Sequence, residues 1–109
     1  MARPLHNEKF TALSGVLQTY NDTLGGHADY TMVTVEFGAA TSAGTLLIEA
    51  ANSPSYGGTW ATLATIAWAA ADTIKTGLVT GPWKALRLRW SISVANGPAN
   101  VDIQIGKSG

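Results

Sequence analysis

The stretch that decides the fold is ALRLRWSISV, Ala85 to Val94. Leu86, Leu88, Trp90, Ile92 and Val94 fall on one side of an extended chain, and Arg87, Arg89, Ser91 and Ser93 on the other. Apolar residues repeating at a spacing of two fit a half-buried strand, because a helix would carry its apolar stripe at a period near 3.6. Downstream, Val101, Ile103 and Ile105 alternate with Asp102 and Gln104 in the same way. The intervening Ala95–Asn100 is turn-forming, so the two strands are expected to form a hairpin. Asn96-Gly97 alone would close a two-residue turn, but Pro98 lacks an N–H, and a longer loop is expected there.

Upstream the pattern repeats. Val33, Val35 and Phe37 alternate with Thr34 and Glu36, and Leu46, Ile48 and Ala50 alternate with Leu47 and Glu49. Small residues connect these two strands over Gly38–Gly44, and a second, richer loop follows over Asn52–Gly58. Phe10 to Leu17 reads as a first strand with a bulge at Ser14-Gly15. Between Gly58 and Ile74 two readings compete. Trp60, Leu63, Ile66 and Ala67 fit helical spacing and the alanines favour helix, whereas Thr59, Thr62 and Thr65 and the preceding loop favour a strand with a bulge. The strand reading is preferred. Six to eight short strands in one chain of 109 residues predict an all-β, single antiparallel β-sandwich or jelly-roll-like domain over 10–109. Met1 to Lys9 shows no alternation and is expected to be an N-terminal arm that orders on a neighbour.

Composition narrows the function. Apolar residues are 46% and charged residues 13% of the chain, and seven basic side chains balance seven acidic ones. A chain of net charge zero lacks the field that draws proteins to phosphates, so no nucleic-acid partner is expected. Its neutral surface offers little resistance to association, which suits a component of an assembly. With no cysteine, disulfides, thiolate metal sites and cysteine nucleophiles are ruled out. The most apolar stretch, Trp60 to Ala71, falls short of the ~20 residues that span a bilayer, so no membrane partner is expected.

Candidate chemistry is sparse. His6 and His27 have no i, i+4 partner of the kind zinc sites use, and His27 with Asp29 reads as a solvated loop pair. Glu36 and Glu49 lie on outward positions of their strands. They read as solvated residues, or as ion-pair partners for Arg87 and Arg89 across the sheet, before they read as a glycosidase pair. No G-x-S-x-G elbow and no phosphate loop occurs. The expectation is therefore a non-enzyme with no catalytic residues, no cofactor and no metal. Trp90 belongs to the inward row. Trp68 and Trp83 stand at strand edges and Tyr56 on a loop tip, where they would anchor a protein interface or stack on sugar rings. With Arg3, Pro4 and Leu5 of the arm they are the candidate interface residues.

From Gly44, the order GTLLIEAANSPSYGGTWATLATI, a small-residue connection and then TGPWKALRLRWSISVANGPANVDIQIG resembles a pattern in small β-sandwich virion proteins of tailed bacteriophages. The resemblance covers roughly residues 30 to 106. In that pattern an Ile-Glu strand leads through a polar loop to G-x-W-x-x-L, here Gly58, Trp60 and Leu63. A later strand follows W-x-x-L-R-x-R, here Trp83, Leu86, Arg87 and Arg89. The resemblance implies a capsid decoration or cement protein on the virion surface, binding the major capsid protein or other virion proteins and forming a homo-oligomer, with a trimer favoured. The alternative it leaves is a tail or fibre domain, or a carbohydrate-binding module in which Tyr56, Trp68 or Trp83 meets a host glycan.

Overall fold

A computed structural model describes residues 3–11, 14–21, 28–37, 44–68, 74–92 and 99–107; within these, the side chains of residues 3, 4, 37, 68 and 99 are outside the description. The described residues form eight strands: β1 (Arg3–Phe10), β2 (Val16–Tyr20), β3 (Tyr30–Phe37), β4 (Gly44–Ala51), β5 (Ala61–Trp68), β6 (Ile74–Thr80), β7 (Ala85–Ile92) and β8 (Ala99–Lys107). They pair antiparallel in two four-stranded sheets, of order β1-β8-β3-β6 and β2-β7-β4-β5. The chain is thus a single β-sandwich.

The alternating residues of the central strands meet between the sheets. Val33 and Val35 of β3 and Val101, Ile103 and Ile105 of β8 face Leu46 and Ile48 of β4 and Leu86, Leu88 and Trp90 of β7, all buried. This arrangement overturns the expected β7–β8 hairpin. Both strands alternate as expected, but β8 pairs with β1 and β3 while β7 pairs with β2 and β4, so the connection between them crosses from one sheet to the other. Strands with apolar inner rows bury those rows equally well side by side in one sheet or facing each other across the core, and the alternation does not choose between the two. The inward row of β7 ends at Trp90, and Ile92 is exposed.

Two further expectations are corrected at the edges. Of the arm expected over Met1–Lys9, residues 3–9 instead form with Phe10 the edge strand β1, paired from Arg3↔Lys107 to Phe10↔Val101, and the strand expected from Phe10 to Leu17 is divided between the end of β1 and the start of β2. The inward positions of β1 carry His6, Glu8 and Phe10 in place of aliphatics, so the alternation is masked. Residues 75–79, which fall in the small-residue connection of the resemblance, form with Ile74 and Thr80 the opposite edge strand, in which Ile74 and Leu78 are exposed while Gly77 and Val79 face the interior. A Cβ on Gly77 would stand 3.0 Å from Ile66 Cγ1, so glycine there lets β6 close onto the opposing sheet. For Gly58–Ile74 the strand reading holds. Leu63 is the extra residue between Ile48↔Ala64 and Glu49↔Thr62, a bulge in β5.

Trp83 closes one end of the sandwich. The turn before it uses Gly81 at φ 88°, whose N–H donates to Asp29 O at 2.8 Å. The indole then enters the core, and its Nε1–H donates to the buried Thr31 hydroxyl at 3.1 Å. If the inner row is as described, Leu88→Ala costs about 2–5 kcal/mol, whereas Ile92→Ala on the same strand changes stability by less than about 0.5 kcal/mol. Urea denaturation of the two variants checks this.

Candidate interaction surfaces

The outer faces of the two sheets have been built very differently. On the β2-β7-β4-β5 sheet, Arg87 and Arg89 project outward because Leu86, Leu88 and Trp90 point in. Glu49 stands between them, with Arg87 Nε donating at 2.8 Å and Arg89 Nε at 2.9 Å to Oε1, and Arg89 Nη2 donating at 3.1 Å to Oε2. The pairing with both arginines is the one read from the sequence, but the glutamate is not solvated: its residue is 3% exposed. The Arg87 guanidinium also lies 4.4 Å from the ring centre of Trp60, a cation–π contact, and Trp60 Nε1–H donates to Tyr56 O at 3.0 Å. This chain of contacts pins the Asn52–Gly58 loop to the sheet. Burial alone would raise the Glu49 carboxyl, but the hydrogen bonds and charges of Arg89 and Arg87 outweigh it and hold the group below the usual carboxylate range.

A second polar cluster joins the two sheets at the β1/β2 edge. Glu8 Oε1 accepts from Tyr20 Oη at 2.7 Å and contacts His6 Nε2 at 3.1 Å, and Gln18 Nε2 reaches Oε2 at 3.5 Å. Burial again opposes ionisation of Glu8, and the bonds from His6, Tyr20 and Gln18 more than offset it, so this carboxyl too is lowered. Burial and the bond to Glu8 push the Tyr20 phenol far above its usual range. The tyrosine ring sits edge-on to His6 and tilted against Trp83, which links the cluster to the end plug.

The outer face of the other sheet carries a different surface. Leu5, Tyr30, Met32 and Leu78 make a strip across one end of it. Met32 is directly opposite Leu78, the Tyr30 ring lies over Gly106, and Pro4 pairs with that same glycine just before the bulge that holds Leu5. Leu78 is 58% and Met32 38% exposed. At the other end of the face, Lys9, Thr34, Glu36, Asn100 and Asp102 surround an open cleft. Glu36 and Glu49 therefore lie on opposite faces of the molecule and do not form a catalytic pair.

The sequence-derived interface residues separate accordingly. Leu5 is exposed on the apolar strip, and the backbones of Arg3 and Pro4 are held in β1. Tyr56 is half-exposed, its ring folded over Gly58 at the loop tip. Trp83 is corrected: it is buried in the core and offers no platform. Trp68 ends β5 opposite Gly44, with its side chain outside the described residues, as is His27. Met32 and Leu78 were not singled out from sequence; their signal was, for Leu78, its place with Ile74 on one row of β6 and, for Met32, its place on the row of β3 opposite to that of Val33 and Val35. Among the described residues no three His, Asp or Glu are grouped to hold a metal ion.

No protein-family model matches the chain, and no curated protein matches it. Solved structures share its fold. The SPBc2 prophage-derived protein YomS is similar at 10% identity and TM-score 0.54, over 96% of this chain and 95% of that one. The PBSX exported protein XepA is similar at 19% identity and TM-score 0.55, over 100% of this chain. A cleaved adhesin domain of Lys-gingipain from Porphyromonas gingivalis gives 13% identity and TM-score 0.58, over 86% of this chain. The chain spans only 38% of XepA and 62% of the adhesin domain. At these identities the likeness is one of fold.

Glu49→Ala leaves two arginines facing each other and is expected to cost about 2–4 kcal/mol, more than Arg89→Ala, which removes the more exposed partner. Because Glu8 and Glu49 are both depressed on folding, their contribution is fully present above the ordinary glutamate value of 4.5 and is lost as pH falls through the lower folded-state values. Denaturation midpoints measured from pH 7 to pH 2 should fall across that acid window. The Glu49→Gln variant should show a smaller drop.

Proposed function

We propose that this chain is a non-catalytic structural protein of a tailed-phage virion, a cement module that docks on the assembled head through the outer face of its β1-β8-β3-β6 sheet. The observation that carries the reading is the strip of Leu5, Tyr30, Met32 and Leu78 on that face. Four adjacent strands spaced about 4.8 Å apart make it roughly 15 Å wide. Apolar side chains gathered in one exposed strip on a chain of so few charges mark a place of protein contact. The surface it fits is a neutral, apolar patch created where capsid subunits meet, since net charge zero supplies no long-range attraction to a charged one.

Three further points support this reading. The strand order is that of a jelly roll, an architecture used by viral capsid and lectin domains. One of the structures that share the fold, YomS, is prophage-derived by name. The titratable clusters at Glu49 and Glu8 are satisfied by their own neighbours, which fits a framework and not a reaction centre. On this reading the partner is the major capsid protein, and copies of the chain associate, with a trimer favoured at a three-fold position of the lattice.

The test is co-sedimentation of the purified chain with assembled heads of the phage that encodes it. Leu78→Lys and Met32→Glu should each weaken binding by at least about tenfold while leaving the denaturation midpoint within about 0.5 kcal/mol of the parent. Tyr56→Ala, on the other sheet, should bind as the parent does. Binding that survives both charge substitutions would move the docking surface elsewhere.

A further inference from the structure

We infer that the cleft at the far end of the same sheet face is a binding site for a neutral, hydroxyl-rich ligand, a saccharide. The cleft encloses about 530 Å³ and is lined by Lys9, Thr11, Thr34, Glu36, Asn100 and Asp102, with Phe10 and Val101 beneath. That volume lies within the range of small-ligand sites. Strand pairing brings the residues together: Lys9 is opposite Asp102, Asp102 opposite Thr34, and Glu36 opposite Asn100. All of these point outward because their neighbours Val33, Val35, Val101 and Ile103 point into the core.

The chemistry of the lining selects the ligand class. Two carboxylates oppose a free anion such as phosphate, and the Lys9 ammonium, opposite Asp102 on the neighbouring strand, opposes a metal cation. A ligand that both donates and accepts hydrogen bonds without carrying charge satisfies all three groups. Sugar hydroxyls do this: Glu36 and Asp102 accept, Lys9 and the Asn100 amide donate, and the Thr11 and Thr34 hydroxyls do either. The groups are also held ready. Asn7 Nδ2–H donates to Asp102 Oδ1 at 2.8 Å and to Ile103 O at 3.1 Å, which fixes the carboxylate on the cleft wall. Among the described residues, neither Lys9 nor Glu36 is bonded to another side chain, so their hydrogen-bonding capacity faces the cleft. On the opposite sheet, by contrast, Glu49, Arg87 and Arg89 are bonded to one another.

The site is distinct from the docking strip. Glu36 lies four residues along β3 from Met32, or about 13 Å, so the two ends of the face are separable by mutation. It is also distinct from Tyr56, the exposed aromatic of the opposite sheet.

The experiment is a titration of the ¹⁵N-labelled chain, followed by amide chemical shifts, with glucose, N-acetylglucosamine, cellobiose, chitobiose and maltose, and separately with CaCl2 and sodium phosphate. At least one sugar should produce saturable shifts centred on Thr34, Glu36, Asn100 and Asp102. Glu36→Gln and Lys9→Met, both at exposed positions and verified as folded by their own spectra, should weaken that sugar about tenfold or more, while Leu78→Lys should not. Saturable shifts with CaCl2 or phosphate and none with any sugar would overturn the assignment, as would sugar shifts centred on Tyr56 or no saturable shift at all. Head binding retained in Glu36→Gln separates this outcome from failure of the docking proposal.

Discussion

Everything in this molecule depends on β7 having two opposite faces in register. Its inner row, Leu86, Leu88 and Trp90, supplies one wall of the core, and its outer row, Arg87 and Arg89, holds the buried carboxylate of Glu49. Because side chains alternate strictly along a strand, neither row can move without the other: a slip of one residue would send two guanidinium groups into the apolar interior. The ion cluster therefore acts as a register lock for the central pair β4–β7. It contributes specificity beyond whatever net stability a partly buried ion pair supplies. The lock extends outward through Trp60, whose ring covers Arg87 and whose N–H is tied to the backbone of the 52–58 loop.

The same alternation explains what could be read from the sequence. Strands β3, β4, β7 and β8 are flanked by partners on both sides, so their inner rows are mostly aliphatic or aromatic, with Thr31 a buried polar exception, and stand out by eye. The edge strands obey other rules. In β1 the inward row is His6, Glu8 and Phe10, because the interior at that edge is a polar junction with Tyr20 and Gln18 of β2. In β6 the inward row is Lys75, Gly77, which approaches Ile66 closely, and the buried Val79, while the larger Ile74 and Leu78 face out. Each edge strand breaks the expected pattern for a local physical reason, and both breaks fall on the sheet that carries the exposed strip and the cleft. The β7–β8 hairpin failed for a different reason. Periodicity reports which side of a strand is buried and is silent on which strand lies next to it. Adjacent strands in sequence can pair or face each other across a core with the same pattern.

Site residues were legible in proportion to how far they depended on one strand alone. The Glu49–Arg87–Arg89 pairing followed from three outward positions, whereas the near-complete burial of Glu49 depends on neighbours from other strands that the three positions do not reveal. Trp83 was misread because its surroundings, Gly81-Pro82 before it and Lys84 after it, look like an exposed turn. Its indole instead reaches Thr31, 52 positions away in the chain. The cleft was invisible, since Lys9, Glu36 and Asp102 come from three strands whose adjacency only the β1-β8-β3 pairing reveals.

This distribution of charge distinguishes the two faces of a chain that has few charges to distribute. On the β2-β7-β4-β5 side Glu49, Arg87 and Arg89 are paired off and partly covered by Trp60, with the exposed Val16 and Leu63 on the same sheet. On the β1-β8-β3-β6 side, Lys9, Glu36 and Asp102 converge on one open cleft, and the remainder of the face is neutral or apolar. A framework needs charges only where they fix register, as at Glu49, or stitch an edge, as at Glu8. Charges gathered at a concave surface and left open to it do neither, and a cleft with donors and acceptors in balance is selective for neutral polar matter. The sandwich thus has one sheet whose outward charges lock its register and one whose outward charges open onto a cleft.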